Sequence, residues 1–222
     1  MSVVRIAVLQ HRLRAHERMD LAAMLHQSEH ASEEGVQVLA FPRVPGLGGD
    51  RALLDAFFRN VEERAPGMAW IQPSRLRIGD DRFAVQATAL GRTIALDGDD
   101  CIDPAYFARI QEAAPETLVW RFIAEDPLQA EAALELALDA SLHLAPLVLL
   151  PTVTGAVRGI TAAGIGAIVH MGEILAEGGS GEEIVIADAP SPAGFTERPR
   201  ILPAPAPILA QRLSAHHKAG LR

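Results

Sequence analysis

The chain has 222 residues, 49% hydrophobic and 22% charged. That is enough apolar material for one sizeable core, and it excludes a disordered polar chain or a collagen-like fibre. Its 28 acidic and 20 basic residues leave a net charge of −8, the wrong sign for a dedicated nucleic-acid binder. A single cysteine excludes a disulfide scaffold and a cysteine-only zinc cluster.

In chain order, the β-branched run at residues 3–9 predicts a strand. Interrupted by Arg5, it is too short for a signal-peptide core. No stretch reaches the roughly 20 apolar residues of a spanning helix, so the expectation is a cytoplasmic protein that engages no membrane. A helix is predicted over residues 16–34, with Leu21, Met24, Leu25, Ser28 and Ala31 on one stripe and Gly35 as its stop. Residues 36–41 form a continuous apolar strand of the kind buried on both faces. A proline- and glycine-rich loop follows, and Asp50 is placed to cap a helix through Ala65.

The middle reads as short strands at residues 68–72, 83–89 and 92–96, with a turn at Gly91. Pro104 opens a helix to Ala113, capped by Asp103. A strand at 117–123 and a helix at 127–142 follow, then buried-type strands at 147–152 and 165–169. Turns at Met171-Gly172 and at residues 178–181 precede a last strand at 183–187. From residue 189 onward six prolines fall within 34 residues, which predicts an extended arm or tail at 189–222 beyond a domain at 1–188. Alternating strands and helices with hairpin-like stretches imply an α/β architecture with some antiparallel pairing.

Val4-Arg5-Ile6-Ala7-Val8-Leu9-Gln10, a helix, and then Gly35-Val36-Gln37-Val38-Leu39-Ala40-Phe41-Pro42 resemble the opening of the nitrilase (carbon–nitrogen hydrolase) superfamily. The far end agrees. Residues 164–176, followed by Gly181-Glu182-Glu183-Ile184-Val185-Ile186-Ala187-Asp188, resemble that family's closing hairpin. Ala137-Leu138-Asp139-Ala140 is similar to its "Ala-x-Glu-Asn" helix end, and Thr152-Val153-Thr154-Gly155 stands where it has "Asn-x-x-Gly". The resemblance covers about residues 3–49 and 128–188. It implies an αββα sandwich shortened in the middle.

It also implies a chemistry in which a glutamate serves as base, a lysine steadies the oxyanion and a cysteine attacks the carbonyl or nitrile carbon. In this chain the residue after Phe41-Pro42 is Arg43. A guanidinium stays protonated and has no acceptor, so it cannot take a proton from a thiol. Anchoring on Pro104 puts Gly98 in the cysteine slot and Asp100 in the slot of a neighbouring aspartate. Residues 44–97 contain no lysine, Lys218 being the single lysine of the chain. Gly98 lies only 55 positions after Arg43, closer than in active members. All three chemical roles stand empty, and no cofactor is implied.

Several residues carry two readings. Cys101 is either a displaced nucleophile or a structural thiol; crowding by Asp97, Asp99, Asp100 and Asp103 disfavours a thiolate and supports the second. The same aspartates offer oxygens to a hard cation but lack the glycine and distal glutamate of a calcium loop, so a solvated turn is favoured. His26 and His30, four apart, suit a metal by spacing, but beside Glu29 and Glu33 they read as an exposed polar face. His143 and His170 read as core histidines, and His216-His217-Lys218 as a solvent-exposed end. The loop at 46–49 could hold an anion at a helix N-terminus but lacks P-loop spacing and reads as a turn. No metal site is expected.

Arg43 places a permanent cation at the floor of a nitrilase-like pocket. It would there bind a small carboxylate or phosphate, or form an ion pair with Asp100 or Asp139 that fills the space. Three functions follow: an inactive scaffold with a binding or structural role, a divergent amidase-type hydrolase with a site relocated to Cys101, or an anion sensor built on Arg43. By resemblance alone, a homodimer is expected, with the C-terminal arm crossing to the partner.

Overall fold

The computed structural model describes residues 3–45, 51–71, 85–98, 104–157 and 159–191. Twelve strands and four helices are found there, in the order β1 (Val3–Arg12), α1 (Glu17–Glu33), β2 (Val38–Ala40), α2 (Arg51–Arg64), β3 (Ala69–Ile71), β4 (Val85–Thr88), β5 (Gly91–Asp97), α3 (Pro104–Ala113), β6 (Thr117–Arg121), α4 (Pro127–His143), β7 (Leu147–Leu150), β8 (Thr152–Val157), β9 (Ile160–Ala163), β10 (Ala167–His170), β11 (Glu173–Glu177) and β12 (Glu183–Pro190). One sheet runs β3-β2-β1-β8-β9, with β12 also paired to β1; the other runs β11-β10-β7-β6-β5-β4.

Side-chain alternation along the strands sorts the core into three layers. Val4, Ile6 and Val8 of β1, with Val38 and Ala40 of β2, face Ala95, Val119, Leu147, Leu149 and Ile168 of the other sheet. The intervening residues Ala7, Leu9 and Leu39 turn the other way, onto Leu21, Met24, Phe57 and Phe58 of α1 and α2. On the far side, Leu96, Leu118 and Val148 pack against Phe107 and Ile110 of α3 and Leu136 and Ala140 of α4. The result is helix, sheet, sheet, helix: the αββα sandwich expected from the sequence.

Local chemistry fixes the helix ends. At the end of α1, Gly35 has φ +76°, which an L side chain resists. Its N–H donates to Ser32 O and that of Val36 to Ala31 O, each at 3.0 Å, the pairing of a Schellman cap. Before α4, Asp126 accepts the Gln129 N–H at 2.8 Å and Gln129 Oε1 accepts the Glu125 N–H at 3.0 Å, a reciprocal cap in front of Pro127.

Three expectations change. The single strand at 147–152 is two strands in different sheets: β7 pairs with β6 and β10, and β8 pairs with β1. Pro151 sits at the break, where it can donate no ladder hydrogen bond. The hairpin β8–β9 was not expected. The closing segment is likewise divided. β10 turns back into β11 through Met171 (φ +50°) and Gly172 (φ +83°), whereas β12 lies antiparallel to β1 in the other sheet. β12 runs to Pro190. Asp50, Asp103 and most of the arm lie outside the described residues.

Gly164 is where the chain has least room. A Cβ there would fall 1.7 Å from Thr152 Oγ1 and 2.8 Å from Thr152 Cβ. Thr152 is buried and β-branched, so rotating its hydroxyl does not relieve the second clash. Gly164→Ala is therefore expected to cost about 1–3 kcal/mol, as over-packing does, lowering the melting temperature by roughly 2–4 °C per kcal/mol. Gly179→Ala, whose Cβ would meet only Glu183 Oε2 at 3.8 Å, is the control and should melt with the parent.

Candidate functional site

Phe41, just after β2, is wedged edge-on between Phe57 and Phe58 of α2, at ring separations of 5.5 and 5.6 Å. Phe58 in turn stacks on Trp70 at 4.6 Å. This aromatic group fixes the chain just before buried Pro42, and so the point from which Arg43 departs. Arg43 is exposed. Its guanidinium reaches the other sheet, where Nη1 lies 3.1 Å from the place a Cβ at Gly98 would occupy. Gly98 follows β5 with φ +54°. The two positions that the resemblance marks as base and nucleophile are thus spatial neighbours, occupied by a cation and by bare backbone.

Beside them lies a buried charge that the sequence reading missed. Alternation turns Ala95 and Val119 into the layer between the sheets, and two residues further on the same faces carry Asp97 and Arg121, which are register partners of the parallel β5–β6 pair. Arg121 Nε lies 2.7 Å from Asp97 Oδ1, with side-chain exposures of 1% and 32%. The pair expected here was Arg43 with Asp100 or Asp139; the pair seen at this end of the sandwich joins Arg121 and Asp97. Arg43 stands at the exposed mouth rather than on a pocket floor. Asp100 and Cys101, like Asp99 and Asp103, lie outside the described residues. The signal for Arg121 was present: an arginine in step with Val119 inside an otherwise apolar run.

The histidines also rearrange. His26 and His30 stand on the exposed face of α1, 3.7 Å from Glu29 and 3.6 Å from Glu33. His143 is half-buried, and so is His170, whose pKa is pulled below the ordinary imidazole value by burial, with Glu173 opposing. Neither is a core histidine. The fully buried one is His11, which the sequence reading passed over. Its Nε2 meets Asp20 Oδ1 at 2.9 Å, and its Nδ1 faces Glu182 Oε1 at 3.2 Å and Gln27 Oε1 at 3.3 Å. Arg14 bridges the group, its backbone N–H donating to Asp20 and its guanidinium to Glu182. The cluster ties β1, α1 and the segment before β12 together. Among the described residues no group of three or more His, Cys, Asp or Glu is arranged to hold a metal ion, and no helix is long and apolar enough to cross a membrane.

No family model and no curated protein matches this sequence. Solved structures do match. An amidase of the nitrilase superfamily from Nesterenkonia AN1, carrying a cysteine-to-serine substitution, aligns with TM-score 0.67 and 16% identity, over 97% of each chain. The same amidase carrying the product of Michael addition of acrylamide at the active-site cysteine aligns with TM-score 0.66 and 16% identity. That alignment covers 84% of this chain and 93% of the other. The fold is the nitrilase fold.

Within the nitrilase fold, the Arg121–Asp97 pair is a charged group set into this end of the sandwich, with Arg121 only 1% exposed. Removing one partner from a fully buried pair costs about 3–5 kcal/mol. With a third of Asp97 in contact with solvent, Asp97→Asn should cost less, about 2 kcal/mol. Arg43→Gln, at an exposed position, should stay within about 0.5 kcal/mol of the parent. Urea denaturation of the two variants checks the contrast.

Proposed function

We propose that this chain is a nitrilase-fold protein without amidase or nitrilase activity, a cytoplasmic pseudoenzyme with a binding or structural role. What carries the reading is the contact between Arg43 and Gly98. Nucleophilic attack on an amide or nitrile needs a group to give up a proton and another to take it. At this contact the first has no side chain, and the second is a guanidinium that accepts nothing. Arg121, the nearest buried cation, is engaged with Asp97 at 2.7 Å, so it does not substitute for an ammonium turned toward a developing oxyanion.

The test is a panel of short aliphatic and aromatic amides, nitriles and esters incubated with the full chain, with ammonia and acid release followed. No turnover above buffer is expected. Turnover that is lost in Arg43→Ala or in Cys101→Ala would overturn the reading, the second variant exposing a site relocated to the thiol.

We also infer a homodimer in which residues 189–222 serve as the arm to the partner. The paired apolar residues Ile201-Leu202 and Ile208-Leu209 support it, since they would otherwise be spaced among prolines with no core to join. Light scattering on the full chain should give a dimer, and on a chain ending at Ser191, just past β12, a monomer. A monomeric full chain overturns the inference.

A further inference from the structure

His11 is buried near the end of β1, and the polar atoms that meet its ring are all oxygens. Asp20 Oδ1 of α1 stands 2.9 Å from Nε2. Glu182 Oε1, from the segment before β12, stands 3.2 Å from Nδ1, and Gln27 Oε1 stands 3.3 Å from it. Asp20 Oδ1 also accepts the backbone N–H of Arg14 at 2.6 Å, and Glu182 Oε1 that of Arg12 at 3.3 Å. Both oxygens therefore act as acceptors. A neutral imidazole has one N–H and one bare lone pair. Whichever nitrogen were bare would set that lone pair against a carboxylate oxygen, at a ring with no exposure to water. Turning the Gln27 amide round would offer Nδ1 a donor but leave Glu182 against the same lone pair. With both protons in place, each nitrogen donates to a carboxylate.

The charged groups at the ring come from three sides. Asp20 belongs to α1, Glu182 to the segment before β12, and Arg14, just after β1, donates its guanidinium to Glu182. Glu183 is turned away, accepting the Gly179 N–H at 2.8 Å. The two carboxylate contacts are unequal. Asp20 is fully buried, whereas Glu182 is 28% exposed, so water can replace the ring at Glu182 but not at Asp20. A ring that gives up one proton therefore keeps its N–H on Nε2, toward Asp20. We propose that His11 holds both ring protons and acts as a proton-operated latch. Charged, it fastens the segment before β12 to β1 and α1; neutral, it keeps Asp20 and lets Glu182 go. Gln10 still holds the carbonyls of Gly179 and Gly181, so the segment loosens without unfolding. β1 and β2 run parallel with Val8 beside Ala40, which puts the latch at the end of the sheet from which Arg43 departs. It does not depend on whether the chain hydrolyses amides.

The test is nitrogen NMR of the imidazoles in the full chain, with hydrogen exchange followed over the same pH series. Near neutrality both ring nitrogens of His11, assigned by through-bond correlation to its backbone, should be protonated. Gly178 N–H donates to Gly166 O, and Gly179 N–H to Glu183. Raising the pH through the titration of the ring should lower the protection of both, corrected for intrinsic exchange, by about fivefold or more. Val36 N–H, in the cap of α1, is the control and should be unchanged. Because folding takes up a proton at the latch, stability in urea should fall over the same pH interval. Glu182→Gln, at a partly exposed position, keeps an acceptor but not the charge, and its ring should give up the proton at lower pH than the parent. A ring with one bare nitrogen near neutrality overturns the proposal. So does unchanged protection of Gly178 and Gly179 across the titration, or an equal loss at Val36. A Glu182→Gln ring that titrates with the parent overturns it as well.

Discussion

The sandwich depends on β1. This strand pairs with β2 in parallel through Ile6, Ala7 and Val8, with β12 antiparallel from Val3 to Gln10, and with β8 in parallel from Gln10 to Arg12. It is buried on both faces from Ile6 to Gln10, as a strand between two packed layers must be. Its two last buried polar residues, Gln10 and His11, are consecutive, so the pleat sends them to opposite layers. Gln10 enters the space between the sheets, where its Oε1 accepts the Gly166 N–H and its Nε2 donates to Gly179 and Gly181. His11 enters the helix layer and meets Asp20, Gln27 and Glu182. Buried polar groups are tolerated when every lone pair and proton finds a partner, and here the partners come both from α1 and from residues 166–182 near the other end of the domain. One strand end thereby fastens the start of α1 to the loop that leads into β12.

The same logic operates at the site, with charge in place of amide groups. An arginine at the end of a parallel strand, 1% exposed, is expensive to desolvate unless a counter-charge lies within contact distance. Asp97 supplies it across one ladder rung, so position in the register, rather than loop geometry, determines the pair. Arg43 meets the opposite condition. It keeps its hydration because it leaves the aromatic group around Phe41 toward solvent. Two arginines at one end of the sandwich thus have different energetics: one is held by the fold, the other is presented by it.

How much of this was legible follows from the range of each signal. The Gly35 stop and the helix from Pro104 to Ala113 rest on contacts within a few residues, and the strand at residues 3–9 on its own β-branched run, so the sequence shows them directly. The division of residues 147–152 between two sheets does not, because both halves are apolar and buried. Only Pro151 hints that the ladder cannot continue. Nor does any local pattern say that β12 leaves the sheet of β10 and β11 for β1, since the eight-residue register that decides it joins the two ends of the chain. At the site, the adjacency of Arg43 and Gly98 was reached through resemblance to a family rather than through spacing. Arg121 was legible by the period of two in its strand and was overlooked among apolar neighbours. His11 gave no sequence signal, because its partners are set by how α1 packs.

Arg43 and Gly98 also constrain one another. Gly98 has φ +54°, a region that costs an L residue about 1–2 kcal/mol, and Arg43 Nη1 lies 3.1 Å from where its Cβ would be. A side chain at 98 would therefore strain the backbone and press the guanidinium aside by a few tenths of an ångström. Shortening Arg43 alone would leave the glycine in place with nothing against it. Residues in contact couple rather than add, so substitutions at 43 and 98 should not have independent effects. Arg43 and Gly98 thus form a mutual fit between a long cation and an absent side chain, and either one preserves the conditions that keep the other.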